Sequence, residues 1–186
     1  MLIENITIKL GVGLSVGSVP PNEGHNCVRN ILFRNANFSY PFKGIYLKTN
    51  PGDKGSGEIV NITYQNMELK KPIWWAIYLG PQQQKQPDGG GPGCMLYPFD
   101  PKGTCFTQPL IDVRNITLEN ITVHDSLLTP ILIRCNKTNP CSGILFKNVN
   151  ADKWRIGDKK KGYICEEAEG IQEGGYPRVE CLKEDK

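Results

Sequence analysis

The sequence predicts an all-β protein wound as a right-handed parallel β-helix. Three observations carry this. Short segments with period-two apolar alternation recur along the chain, and no convincing amphipathic helix interrupts them. The segments repeat around a fixed asparagine–aliphatic signature. Twenty glycines and 14 prolines punctuate them as turns.

The first element is "ENITIKL", where Ile6, Ile8 and Leu10 alternate, followed at the same spacing by Val12, Leu14 and Val16. This strand begins at once, with no basic or apolar leader, and Glu4 stands where a leader's apolar region would start. The expectation is an N-terminally truncated solenoid. The later elements align as "VRNILFRNANF", "IVNITYQNMEL", "VRNITLENITV" and "SGILFKNVNA". Their leading aliphatics are Ile6, Ile31, Ile62, Ile116 and Ile144, preceded by Asn5, Asn30, Asn61 and Asn115. A second asparagine follows at Asn35, Asn66, Asn120 and Asn148. Each repeat adds a second strand, "VGLSVGS", "KGIYLKT", "WAIYLGP" or "PILIRCN". Short strands without helix suit stacked coils about 4.8 Å apart, with like side chains on like and asparagine ladders at the corners. A β-sandwich is the alternative, but hairpin signals such as Asn-Gly are absent between the strands. One β-helix domain is expected over 1–186, with a Pro/Gly-rich inserted loop at 80–109 and a C-terminal cap or tail at 151–186.

Composition is that of an ordinary soluble chain: 186 residues, 39% hydrophobic and 22% charged. A net charge of +3 suits an anionic ligand without requiring one. No apolar run approaches a membrane span. Of seven cysteines, Cys94/Cys105, Cys135/Cys141 and Cys165/Cys181 bracket short stretches, and Cys27 is left over. None has the C-x₂-C spacing of a zinc site and only two histidines exist, so three short-range disulfides in an oxidising compartment are expected rather than a metal.

Six N-x-S/T sequons occur, at Asn5, Asn37, Asn61, Asn115, Asn120 and Asn136. Four are the "NIT" of the repeat itself, where a ladder asparagine cannot take a glycan. Asn136, in the Cys135–Cys141 loop, is the expected acceptor.

Alternation in the second strands sets direction. Leu14, Ile45, Ile77 and Ile131 point inward, as do Val16, Leu47, Leu79 and Ile133. The residues between point outward: Ser15, Tyr46, Tyr78 and Leu132 in one row, Gly17, Lys48, Gly80 and Arg134 in the next. Tyr46 and Tyr78 read as an aromatic platform suited to a sugar ring, with Lys48 suited to a carboxylate. An ordinary β-surface is the competing reading. Asp53, Asp112 and Asp125 lie on different coils or corners and read as solvated turn residues. The insertion leaves just after Tyr78, so it can wall the face, with Tyr97 and Phe99 as contacts.

"GLSVGS", "GIYLKTNPG…GSGEIVNITYQNM" and "PCSGILFKNVN", in this order, resemble the C-terminal half of polygalacturonases, glycoside hydrolase family 28. The resemblance implies a pectin-lyase-like solenoid, an inverting glycosidase and a polysaccharide substrate. It also implies no cofactor or metal, no nucleic-acid or membrane partner, a secreted protein, and a monomer when complete. The family's three catalytic carboxylates come from upstream motifs that nothing here matches, so no catalytic residue is identifiable in this chain. Its Gly-His-Gly corresponds to Gly11-Val12-Gly13, with valine for the histidine. Its Arg-Ile-Lys, which binds the substrate carboxylate, corresponds to Tyr46-Leu47-Lys48, keeping the lysine and losing the arginine. Tyr78 falls near the family's tyrosine. Tyr46, Lys48 and Tyr78 are therefore the expected substrate-binding residues. Two functions remain open at this point: a polygalacturonase-like hydrolase, or a non-catalytic glycan-binding or structural β-helix.

Overall fold

The structure, a computed structural model, describes residues 1–19, 23–50, 55–83, 94, 97–99, 105–158 and 160–184. Among them there is no helix; fourteen strands are wound as a parallel β-helix. One sheet holds the long strands β1 (Leu2–Lys9), β3 (His25–Ser39), β5 (Ser56–Lys70), β7 (Ile111–His124) and β10 (Cys141–Ala151). β13 (Ala168–Glu173) and β14 (Leu182–Glu184) extend it in that order. The second sheet stacks β2 (Leu14–Val19), β4 (Ile45–Thr49), β6 (Ile77–Pro81), β9 (Ile131–Arg134) and β12 (Tyr163–Glu166). A small third sheet pairs β8 (Ser126–Leu128) with β11 (Trp154–Ile156). Every ladder between these strands is parallel.

The long strands turn corners without breaking, and asparagine makes the turns. Asn30, Asn35, Asn61, Asn66, Asn115, Asn120 and Asn148 all have φ between 54° and 59°, the left-handed region that asparagine tolerates better than other residues with a Cβ. At each bend the alternation resets. In β5, Tyr64 is buried, Gln65 and Asn66 both face out, and Met67 is buried again. The amides then bond from coil to coil. Asn66 Nδ2 donates to Asn35 Oδ1 (3.3 Å), Asn120 to Asn66 (3.1 Å) and Asn148 to Asn120 (3.3 Å). A second ladder runs from Asn115 to Asn61 (3.2 Å) and from Asn61 to Asn30 (3.1 Å). Gly143, with φ 62°, occupies the next rung of that second ladder, opposite Asn115.

One register differs from expectation. Ile6 pairs with Ala36, not Ile31, and Asn35 Nδ2 donates to Asn5 Oδ1, so Asn5 belongs with Asn35 rather than Asn30. β3, β5 and β7 each carry two asparagine–apolar bends five residues apart, and "ENITIKL" matches either equally well. The other expected columns hold. Ile31, Ile62, Ile116 and Ile144 stack in register. So do Leu14, Ile45, Ile77 and Ile131, and beside them Val16, Leu47, Leu79 and Ile133. These two inward columns join Phe33, Tyr64, Leu118 and Phe146 from the facing sheet in one core. Each buried aliphatic there contributes about 1.5–3 kcal/mol.

The disulfides are Cys94–Cys105, Cys135–Cys141 and Cys165–Cys181, as expected, and Cys27 is free and exposed. The C-terminal segment does more than close the end: β12, β13 and β14 continue the two main sheets.

Replacing Asn66 by Ala is expected to lower stability by about 2–3 kcal/mol, from left-handed strain together with the lost amide bonds. Gly, which accepts the bend, should lose only about 1 kcal/mol. Urea denaturation of both variants checks this; equal losses would assign the whole effect to the amide bonds.

Candidate functional site

The outward face of the second sheet is where the sequence placed the site, and the directions are as read. Tyr46 stands opposite Tyr78 and Lys48 opposite Gly80. The two tyrosine rings meet edge to face, with centroids 5.2 Å apart.

They are not an open platform, however. Both rings are 0% exposed, and the expectation of a solvent-facing tyrosine pair is corrected. A second apolar layer covers them: Trp75, Leu128 and Leu132 are buried with them, and Trp74, Tyr97, Leu127 and Ile164 pack against that cluster. Burial is sustained because each hydroxyl finds a partner. Tyr78 donates to the Pro81 carbonyl (2.6 Å), and Tyr46 accepts the Gln83 backbone N–H (3.1 Å). Burial also pushes the Tyr46 hydroxyl pKa up to about 12 and that of Tyr78 well above its usual value.

The exposed aromatic surface lies one step earlier, in the turns that lead into the second sheet. Phe42 is 42% exposed and its ring stacks near-parallel on Trp74, with centroids 5.9 Å apart. Phe99, 48% exposed, meets Trp74 edge-on at 6.2 Å and stacks on Trp75 at 6.3 Å. The insertion therefore does contribute Phe99 and Tyr97 to this face.

Two cations border the buried tyrosines. Lys48 is half-buried, with Nζ 5.3 Å from the Tyr46 ring centroid. Lys43, in the turn before β4, is only 1% exposed; its Nζ is 4.6 Å from the Tyr46 ring and 4.9 Å from that of Phe42. Desolvation, with the Lys48 charge adding to it, lowers the Lys43 pKa to about 8. Desolvation also lowers that of Lys48. Sequence reasoning missed Lys43 because it lies in a turn, where alternation says nothing about direction.

Glu166 was missed too. It pairs with Arg134 in register, accepts Arg134 Nε at 2.7 Å and accepts the Tyr97 hydroxyl at 2.6 Å. The Arg134 guanidinium lies 4.3 Å from the Tyr97 ring centroid. Burial, then the bond to Glu166, pushes the Tyr97 hydroxyl up to about 12. Glu166 extends the Lys48–Arg134 row by one coil, but its carboxylate is committed to holding the insertion.

The remaining carboxylates have structural partners. Asp112 accepts Asn139 Nδ2 (3.1 Å) at the edge of β7. Asp125 takes both an Nε and an NH2 bond from Arg155, which holds its carboxyl below the usual range. Asp53 lies outside the described residues. Val12 is exposed in the turn before β2. The Asn136 amide nitrogen is taken by Thr107 Oγ1 (2.8 Å), and its oxygen by Thr138. Asn37, by contrast, is exposed on β3.

The architecture is that of a parallel β-helix, and comparison with known proteins finds polygalacturonases among its relatives. Residues 1–84 match the family described as Glycosyl hydrolases family 28. The chain is 28% identical over 147 residues to polygalacturonase-2 of Solanum lycopersicum, covering 78% of this chain and 28% of that protein. It is 26% identical over 184 residues to a protein of Arabidopsis thaliana described as a probable polygalacturonase, covering 98% of this chain and 37% of the relative. An exopolygalacturonase of Zea mays is 22% identical over 184 residues, at 98% and 39% coverage. The chain thus spans well under half the length of the curated relatives it matches. No solved structure matches it.

The buried Lys43 ammonium is expected to cost stability. Its pKa is about 8 when folded and 10.5 when unfolded, so below pH 8 both states carry the proton and the full cost is present. Between pH 8 and 10.5 the unfolded chain binds more protons than the folded one, and stability therefore rises with pH. Lys43→Met should be more stable than wild type at pH 7 by on the order of 2 kcal/mol, with the gap closing by pH 10.5. Urea denaturation of both proteins across pH 7–10.5 reads this directly; a constant gap would mean Lys43 does not titrate as its burial requires.

Proposed function

We propose that this chain is the substrate-binding portion of a secreted, polygalacturonase-like glycosidase that hydrolyses O-glycosyl bonds in a pectin-type or related cell-wall polysaccharide. Lys48 carries the reading. It stands on the outward face of the second sheet, next to a surface of aromatic rings, and no described carboxylate pairs with it. Its place in "GIYLKT" is that of the substrate-carboxylate lysine of the family it resembles, and the names of the relatives agree with an acidic polysaccharide. Three disulfides suit an oxidising, extracellular setting.

Hydrolysis needs an acid and a second carboxylate facing one glycosidic oxygen. In this reading those aspartates belong to coils outside this sequence, in keeping with the short share of each relative that the chain spans. Tyr46 and Tyr78 then support the cations from beneath, while Phe42, Trp74 and Phe99 offer the sugar-stacking surface. Val12 and Tyr46, standing where the family has histidine and arginine, favour a second reading: a β-helix that binds glycan without cleaving it.

The isolated 186-residue chain should therefore bind acidic oligosaccharides yet release no reducing sugar from polygalacturonate above a heat-killed control. Lys48→Ala should weaken binding of an acidic oligosaccharide by about 1–3 kcal/mol, the scale of a charge-assisted hydrogen bond. Its effect on a neutral oligosaccharide should be much smaller. Calorimetric titration of both ligands decides it, and equal losses would make Lys48 a solvated strand lysine.

A further inference from the structure

The asparagine bends are not the only left-handed corners of the coil. Immediately after the long strands, Leu10, Tyr40, Lys71 and Asp125 all have φ between 51° and 61°, one on each of four successive coils. Backbone bonds keep them in step: the Leu10 N–H donates to the Ser39 carbonyl (3.1 Å), Tyr40 to Lys70 (2.8 Å) and Lys71 to His124 (2.7 Å). Bulky residues enter this region at a cost that asparagine largely avoids. Tyrosine and lysine are thus held here against backbone preference, a condition that clusters at functional sites. Beside this corner lies a cavity of about 150 Å³. Tyr40, Pro72, Ile73 and Leu127 wall it, and Lys71 and the Asp125–Arg155 pair stand among them. Its frame is fixed by the main chain, since the Ile73 N–H donates to the Pro41 carbonyl (2.8 Å) and that of Leu127 to the Pro72 carbonyl (2.9 Å). The cavity shares no lining residue with the surface formed by Lys48, Phe42, Trp74 and Phe99.

We propose that this corner cavity binds a small aromatic carboxylate, whose ring fills the cavity and whose acid group meets Lys71. Size, surface and charge define the ligand. A volume of about 150 Å³ is what a single benzene ring occupies. Tyr40 and Ile73, 44% and 36% exposed, with Pro72 and Leu127 beside them, offer carbon to a flat apolar body. The charge comes from what is already committed. Asp125 accepts two bonds from Arg155, at 3.2 and 2.7 Å, while Lys71 and Lys153 act on it at longer range. Lys71 forms no ion pair with any described carboxylate. Its Nζ meets the Tyr40 hydroxyl (3.4 Å) and lies 5.5 Å from the centre of that ring, which leaves donors of the ammonium unused. The lining therefore sets two cations, Lys71 and Arg155, against one carboxylate, and the surplus charge is that of Lys71. A sugar ring would press hydroxyls onto Pro72, Ile73 and Leu127, where they find no partner, and a bare inorganic anion would leave the apolar walls uncovered. The inference is independent of the polysaccharide reading, because it uses a different surface and a different ligand.

The test is a nitrogen-15 NMR titration of the full chain with benzoate, with its neutral isostere benzamide and with acetate, at low salt where charge is least screened. It is repeated on Lys71→Asn and Ile73→Trp, with unfolding midpoints taken in parallel. Wild type should bind benzoate about fivefold or more tighter than benzamide or acetate, the upper range for a solvent-exposed ion pair. The shifted amides should be those of Tyr40, Lys71, Ile73, Asp125, Leu127 and Arg155. Lys71→Asn should lose that preference for benzoate and bind benzamide within about twofold of wild type. Since asparagine accepts the left-handed corner, its midpoint should be unchanged or raised, which excludes misfolding as the cause of lost binding. Ile73→Trp, which fills the cavity, should bind neither aromatic ligand. Benzoate that fails to saturate, binds no better than acetate, shifts amides elsewhere, or binds Lys71→Asn as well as wild type overturns the proposal. Each of those results leaves the Lys48 reading standing, because that reading is decided by the acidic and neutral oligosaccharides.

Discussion

The left-handed asparagine bend is the constraint on which the rest depends. A solenoid must turn a corner several times per coil, at the same place in each, without losing the parallel ladder. Asparagine does this with one residue: its backbone enters the left-handed region at modest cost, and its amide bonds the asparagine of the adjacent coil. Because every asparagine rung is both a bend and a link, the register of the long strands follows from the ladders. The inward columns of the second sheet inherit it, and so do the directions of Tyr46, Lys48, Tyr78 and Arg134.

The second sheet works by layering. Its inner side is an aliphatic core; its outer side carries a smaller aromatic cluster that the insertion and the β8 turn press down. Burying the tyrosines removes them as direct contacts but changes the medium around the two lysines, and this raises the strength of any charge they meet.

How much of this was legible depends on whether a residue's surroundings follow from local period. Ile45, Leu47, Ile77 and Leu79 were readable because alternation in a parallel strand fixes direction, and coils repeat. The two bends per coil were equally visible, yet assigning Asn5 to one of them needed the pairing partner, which no local pattern carries. The burial of Tyr46 and Tyr78 was hidden for a related reason: period two says which way a ring points, not what lies over it, and the cover comes from elsewhere in the chain. Lys43 fell in a turn with no period. Glu166 fell in a tail that pairs like a coil but lacks the asparagine signature.

The insertion has a mechanical consequence. In a solenoid each coil normally touches only its neighbours, so stability is close to a sum of adjacent terms and the ends can fray one coil at a time. Here the segment that leaves β6 reaches past the next coil: Tyr97 bonds Glu166 on β12 and lies against Arg134 on β9, while Arg134 also donates to the Cys105 carbonyl. Cys94–Cys105 closes that segment on itself. Three successive coils are thereby clasped from outside, and fraying that reaches β12 has to release the clasp on β9 and β6 as well. The C-terminal half of the molecule should come apart as one cooperative unit, taking with it the part of the aromatic cluster that lies over β6 and β9.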